Sequence, residues 1–124
     1  SPTTVLLMAA ARRDFFLTVQ YGQFYQGKPV IGYDLPGFGD ELCGLPYLPR
    51  LIAKARAKLV GSMGDDIIYC CENDRRFFRD HGNIHPADFL RVVWAAGDSD
   101  PKVYDYVRQR TLSVSSAVPD NEQM

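Results

Sequence analysis

The sequence has no long block of charge of either sign. Its fourteen basic and fifteen acidic side chains nearly cancel, which leaves a formal net charge of -1 and a pI near 6.0. Proteins that bind nucleic acid regardless of sequence neutralise the phosphates with many Lys and Arg side chains. The balanced charge therefore argues against nucleic acid as a general partner.

Cysteine is scarce and is poorly placed for disulfide bonds. The chain has three cysteines, of which Cys70 and Cys71 are adjacent and Cys43 lies well apart from them. Small secreted domains are held together by an even set of spaced cysteines. This pattern favours a reducing compartment, and we expect the protein to be cytoplasmic.

The chain also lacks a long apolar run. A membrane-spanning helix needs roughly 20 consecutive apolar residues, and the apolar stretch from Val5 to Ala11 is much shorter. Arg12 and Arg13 follow this stretch, whereas a secretory signal peptide carries its basic residues before the apolar run. We therefore expect neither a signal peptide nor a membrane as partner.

What the sequence does contain is the composition of a folded domain. Of its 124 residues, 46% are hydrophobic and 12% are aromatic, and a chain of this length typically forms one domain. We predict a compact, mainly α fold of four to five helices, with a single globular domain over residues 1–112. Residues 113–124, rich in Ser and polar residues, predict a flexible tail.

The first third of the chain gives an ambiguous pattern. A segment rich in Ala and Arg favours a helix from Thr3 to about Tyr21, although aromatic and β-branched residues occupy its second half. The alternative is a helix followed by a hairpin that turns at residues 26–29. The prediction therefore includes a short hairpin or extended segments near residues 22–33 and 66–71.

The clearest helix lies in the middle of the chain. Pro46 and Pro49 indicate where it begins, and Gly61 is a natural end. At 100° per residue, one face carries a buried apolar stripe, which consists of Leu48, Leu51, Ile52, Ala55 and Leu59. A second, solvent-facing strip carries Arg50, Lys54 and Lys58. Arg56 lies at the edge of the apolar stripe, where its guanidinium can reach a carboxylate.

Capping signals predict the later helices. Asn73 is expected to cap a short helix that carries Asp74 in its first turn and ends near Gly82. His85 as N-cap and Pro86 at the first helical position predict the next helix. Asp100 followed by Pro101 repeats this signal, and we expect the last helix to end near residue 110.

The middle of the chain carries a run from Leu48-Pro49-Arg50 to Leu59, a turn that contains Gly, and then Tyr69, Cys71, Asp74, Arg76 and Phe77. The order and spacing over roughly Gly44 to Arg108 are similar to the pattern Gly-x-x-x-Leu-Pro-Arg-x-x-x-Lys-x-Arg-Ala and then Tyr-x-Cys-Pro-x-Asp-x-Arg-Phe. The chain thereby resembles a bacterial family, the domain-of-unknown-function 5069 family. Glu72 stands where the family has Pro, and His85 where it has an Asp cap. The resemblance implies a bacterial cytoplasmic protein in which residues 1–43 form an extension packed on the family-like part, and it implies no particular activity.

Cys71 and Asp74 are the candidate catalytic residues. A thiol near a helix N-terminus, with arginines close by, has the surroundings of a nucleophile, although an unpaired Cys is more often a small buried hydrophobe. No metal and no cofactor are expected, because the adjacent cysteines do not have the spacing of zinc ligands and Gly and Pro interrupt the segment around His81 and His85.

Four residues are the candidate ligand-binding set: Arg56, Tyr69, Asp74 and Arg76. A carboxylate and two guanidiniums beside aromatic rings have the composition of a site for a small anion, with the Asp holding one Arg in place. The same charges also suit an ion-pair network that joins two helices without any ligand. The sequence does not distinguish these arrangements.

Two functions follow from these patterns. We expect a non-enzymatic module that binds a small anionic ligand or a protein partner, because no complete catalytic motif is present. The alternative is a small enzyme of specialised metabolism that acts on an anionic substrate. Aromatic residues in the first third would provide a dimer contact, so a homodimer is also considered.

Overall fold

Helices form most of the protein. The computed structural model describes the backbone of residues 1–122 and the side chains of residues 1–114. In this part of the chain the elements follow in the order α1 (Pro2–Thr18), β1 (Glu41–Leu42), β2 (Leu45–Pro46), α2 (Leu48–Val60), α3 (Glu72–Asp80), α4 (Pro86–Ala96) and α5 (Asp100–Glu122). The prediction of a mainly α fold with four to five helices is confirmed.

The helix α2 lies at the centre of the fold, in contact with α1, α4, α5 and β1. Its predicted apolar stripe is confirmed, since Leu48, Leu51, Ile52, Ala55 and Leu59 are all buried. Side chains from α4 and α5, among them Phe89, Leu90, Val103 and Val107, complete the core around it. Burial of this apolar surface is the main source of the free energy that holds the helices together.

The predicted solvent-facing strip of α2 is wrong at Lys54. Its side chain is buried, with only 4% of the residue exposed, and Arg50 and Lys58 are partly buried. An apolar stripe predicts one buried face of a helix, but α2 has neighbours on more than that face. The charged positions of α2 therefore meet other parts of the protein instead of bulk water.

Most helix ends that the capping residues predict are confirmed: α2 ends at Gly61 and His85 is the N-cap of α4. Gly61 ends α2 with a φ of 82°, and the Nδ1 of His85 accepts a hydrogen bond from the Ala87 N–H at the start of α4. The prediction that Asn73 caps α3 is wrong, because the N-cap is Cys71. The Asp74 carboxylate accepts the backbone N–H groups of the residues just before the helix, which fixes its start two positions earlier.

The hairpin is in a different place from the one considered in the sequence. It pairs Glu41–Leu42 with Leu45–Pro46, and its two turn residues, Cys43 and Gly44, both have positive φ. Residues 22–33 instead form irregular chain and a short 3-10 turn, with a single parallel bridge between Val30 and Met63. Residues 66–71 form turns and irregular chain and contain no strand.

The N-terminal segment is tied to α2 and α4 by polar contacts. The Arg12 guanidinium donates to the Lys58 carbonyl over 3.0 Å, and the Gln20 amide donates to the Val60 carbonyl over 2.8 Å. Arg91 of α4 forms an ion pair with Asp14 at 2.8 Å. The first two contacts hold the N-terminal segment against the C-terminal end of α2, and the third holds α1 against α4.

The last helix is longer than predicted. It extends to Glu122, whereas the sequence predicted an end near residue 110 and a flexible tail over 113–124. The flexibility of that tail stays a prediction, and residues 123–124 lie outside the described part of the chain. None of the described helices combines the length and the hydropathy needed to cross a membrane.

Two glycines with positive φ give a matched test of the fold. A Cβ on Gly82 would lie 2.6 Å from the Arg110 carbonyl oxygen, whereas a Cβ on Gly44 would meet no atom within 4 Å. We expect Gly44→Ala to lower the free energy of unfolding by about 1–2 kcal/mol, the cost of left-handed backbone. Gly82→Ala should cost about 1–3 kcal/mol more, because it also overpacks the contact with α5. Urea denaturation measures both, and equal losses would contradict the close packing.

Candidate functional site

The Asp74 carboxylate is the centre of the polar cluster in the core. Asp74 is fully buried, at the third position of α3, and both of its oxygens are occupied. Oδ1 accepts the Tyr47 hydroxyl. Oδ2 accepts the Lys54 ammonium at 2.7 Å and the N–H groups of Cys70 and Cys71 at 2.9 and 3.3 Å. A carboxylate with this many donors is both neutralised and fixed in orientation.

Lys54 is the partner that balances the buried charge. Its ammonium lies 2.7 Å from Asp74 Oδ2 and 3.5 Å from the sulfur of Cys71. A buried ion pair contributes little net stability, but removing one partner leaves the other charge in the core without compensation. The pair therefore joins α2 to α3 in one geometry.

Tyr47 closes the cluster from the side of the hairpin. It is the N-cap residue of α2, with a φ of 75°, and Cys70 opposite has a φ of 72°. Burial and the hydrogen bond to Asp74 raise the Tyr47 pKa far above its usual value, so its hydroxyl stays a donor. Left-handed backbone at a non-glycine residue costs free energy, and such positions are enriched at functional sites.

An open cavity of about 200 Å³ lies over this cluster, and we call it the Lys54 cleft. Lys54, Arg50 and Cys71 line it together with Phe38, Tyr47, Asp66, Ile67, Ile68 and Asn73. The Arg50 guanidinium lies 4.2 Å from the centre of the Phe38 ring and donates to the Pro36 carbonyl. A neighbouring cavity of about 220 Å³ shares Phe38, Tyr47 and Asn73 with the cleft.

The structure does not bring the four predicted ligand-binding residues together. Arg56 pairs with Asp100 on α5, and Arg76 pairs weakly with Glu72 at 3.8 Å. Asp74 pairs with Lys54 instead of an arginine. The predicted Arg56–Asp74–Arg76 cluster is therefore not formed, because each of its three charges pairs with another residue.

Two of these residues lie away from the Lys54 cleft, and one lies beside it. Tyr69 is 6% exposed and donates its hydroxyl to the Pro86 carbonyl over 2.7 Å, so it belongs to the core, where burial raises its pKa. Arg56 is held by α5 and the Gly97 carbonyl. Arg76 lines the neighbouring cavity with Phe77 and His81.

The residues that sequence reasoning missed are Tyr47, Arg50 and Lys54. The available signal was the spacing of Arg50 and Lys54, which places them on one face of α2. In the described part of the chain, no group of three or more His, Cys, Asp or Glu side chains has the geometry to hold a metal ion.

The Lys54–Asp74 pair gives a stability prediction. We expect Asp74→Asn to lower the free energy of unfolding by about 3–5 kcal/mol, because it leaves the Lys54 charge buried without a counter-charge. Asp80→Asn, at the exposed end of the same helix, should change it by less than about 0.5 kcal/mol. Adding Lys54→Met to Asp74→Asn should recover part of the loss. Chemical denaturation tests this, and similar losses for Asp74→Asn and Asp80→Asn would contradict a buried pair.

Comparison with known proteins identifies the family of this chain. No curated protein and no solved structure matches the chain. The family model described as "Domain of unknown function (DUF5069)" matches residues 39–118, well over half of the chain. This range includes the Lys54–Asp74 pair and two of the three residues that both cavities share, Tyr47 and Asn73. The chain therefore belongs to the DUF5069 family.

Proposed function

We propose that the protein is a small-molecule-binding module that takes a small anionic ligand in the Lys54 cleft. The observation that carries the proposal is a buried ammonium in the cleft wall with a guanidinium beside it. Lys54 is fixed by Asp74, and Arg50 lies one helical turn away on the same face of α2. Two cations at fixed positions on a concave surface are suited to a carboxylate or a phosphate.

The donors of the cleft support this proposal. An ammonium has three N–H groups, of which Asp74 and the Cys71 sulfur accept two. The third has no hydrogen-bond partner among the described residues. Arg50 uses one nitrogen for the Pro36 carbonyl, and the planar guanidinium retains further donors for a bidentate contact.

The walls of the cleft restrict the ligand's size and shape. At about 200 Å³ the cavity is smaller than typical ligand pockets of roughly 300–1,000 Å³. Phe38 and Tyr47, whose ring centres are 5.8 Å apart, provide flat apolar surface. A small anion with a planar body fits these walls, and a longer ligand would reach Arg76 in the neighbouring cavity.

The hydrogen bonds that Asp74 already accepts favour a binding role of the protein over a catalytic one. Both of its oxygens already accept hydrogen bonds from the protein, so a role in positioning Lys54 suits it better than proton transfer or nucleophilic attack. Asp74 thereby keeps its place in the proposed site as the residue that orients the cation.

Phenyl phosphate is a suitable probe for this site. We expect it to bind and to shift the amide NMR signals of residues around the cleft, including Tyr47 and Cys71. Arg50→Gln should weaken binding about tenfold or more, the effect of losing one charge-assisted hydrogen bond. Lys102→Gln removes an equal charge from the exposed surface of α5 and should leave the affinity unchanged. An equal loss of affinity in both variants would mean that only the net charge of the protein matters, and it would contradict the proposed site.

A second candidate function is thiol chemistry on an anionic substrate, and the position of Cys71 favours it. Its sulfur lines the cleft, lies 3.5 Å from the Lys54 ammonium and belongs to the N-cap residue of α3. A cation and a helix N-terminus both stabilise negative charge on a reacting sulfur. A small enzyme with Cys71 as nucleophile would use Arg50 to hold the substrate's anionic group.

Alkylation distinguishes this second function from binding alone. If Cys71 is a nucleophile, iodoacetamide should modify it faster than Cys43, although Cys43 is the more exposed thiol. The double variant Lys54→Met/Asp74→Asn, which leaves no buried charge without a partner, should slow the reaction at Cys71 and leave that at Cys43 unchanged. Mass spectrometry of the peptides gives both rates in one experiment. A slower reaction at Cys71 than at Cys43 in the native protein would exclude the nucleophile role.

A further inference from the structure

A larger cavity, of about 340 Å³, lies between α1 and α2 and shares no residue with the Lys54 cleft. We call it the α1–α2 groove. Its lining consists of Val5, Met8, Ala9, Arg12, Arg13, Phe16, Phe24 and Lys58. All but Lys58 come from the segment before residue 39, outside the range that the family model matches.

The groove carries three positive charges and no negative one in its lining. Arg12, Arg13 and Lys58 line it, and none of them forms an ion pair among the described side chains. The Arg12 guanidinium is fixed beside Lys58 by a 3.0 Å hydrogen bond to the Lys58 carbonyl. Burial is the larger cause of a lowered Lys58 pKa, and the nearby Arg12 charge lowers it further.

The rest of the groove is apolar. On α1 the lining residues Val5, Met8, Ala9, Arg12, Arg13 and Phe16 repeat at intervals of three, four or one and so form a single face. Phe16 packs on Phe24 with ring centres 4.8 Å apart. The two arginines thus have aliphatic side chains on one side along the helix and aromatic rings on the other.

We propose that the α1–α2 groove binds a free anionic amphiphile, namely a medium-chain fatty acid. Its carboxylate would contact Arg12, Arg13 and Lys58, and its chain would lie along the apolar wall from Met8 to Val5. At 1.5 Å per residue, the helix from Arg12 to Val5 is about 10 Å long, a length that suits a medium chain.

The size and the lining of the groove together favour this ligand over a simple anion. Its volume lies within the roughly 300–1,000 Å³ range of ligand pockets. An inorganic anion would satisfy the cations but leave the apolar wall in water. A neutral apolar molecule would cover the wall but leave three positive charges without a counter-charge. Only a ligand with both features complements the whole lining.

Calorimetric titration of the full chain with decanoate, at concentrations below micelle formation, tests the proposal. We expect one binding site, weaker binding of decanol and no binding of inorganic phosphate in the groove. Arg12→Gln and Lys58→Gln should each weaken decanoate binding about tenfold or more, as expected for the loss of one charge-assisted hydrogen bond. Lys102→Gln should not. Thermal unfolding of each variant verifies that it is folded, and the exposed Arg13→Gln provides a further variant if one fails.

Three outcomes would overturn the proposal. Equal affinity for decanoate and decanol would show an apolar surface without recognition of the anion. Undiminished binding in both Arg12→Gln and Lys58→Gln would place the ligand elsewhere. Binding to anionic phosphatidylglycerol vesicles with none to free decanoate would indicate a membrane-surface contact. Arg50→Gln serves as a control for the other cavity, because decanoate binding should be insensitive to it.

Discussion

The structure depends on one buried ion pair, between Lys54 and Asp74. Neither charge is compensated by water, since Asp74 is fully buried and Lys54 is 4% exposed. Each therefore requires the other in place. The same carboxylate also accepts the Tyr47 hydroxyl and the N–H groups that precede α3. The central helix, the hairpin that leads into it and the next helix are thus positioned by the requirements of a single side chain.

This arrangement has a consequence for function. The Lys54 ammonium is held at the wall of a cleft and lacks the conformational freedom of an exposed lysine. Contacts within the protein offset the free-energy cost of burying it, so a ligand does not have to supply them. The left-handed backbone at Tyr47 and Cys70 is part of the same geometry. A site organised in this way before any ligand arrives loses little conformational entropy on binding, which is the physical basis for the anion site proposed at the Lys54 cleft.

The N-terminal segment has a different character from the family-matched part. Most of the large hydrophobic side chains with high exposure lie before residue 39, among them Val5, Leu6, Leu17, Tyr21, Phe24 and Tyr33. The segment adds one helix to the core, through Ala11, and presents the rest of its apolar surface outward. Such surface on a small protein usually marks a contact with another molecule. The α1–α2 groove is the part of it where a charge pattern defines the chemistry of the ligand.

Local sequence signals account for the elements whose causes lie within one or two helical turns. The apolar stripe from Leu48 to Leu59 and the caps at Gly61 and His85 depend on residues within one or two helical turns, and the structure has them as predicted. Which charges pair with each other depends on the packing of distant parts of the chain. Lys54 and Asp74 are twenty residues apart, and Arg56 turned to Asp100, forty-four residues away, instead of Asp74. Helical periodicity gives the direction in which a side chain leaves its own helix. The partner that it meets in that direction depends on how separate helices pack.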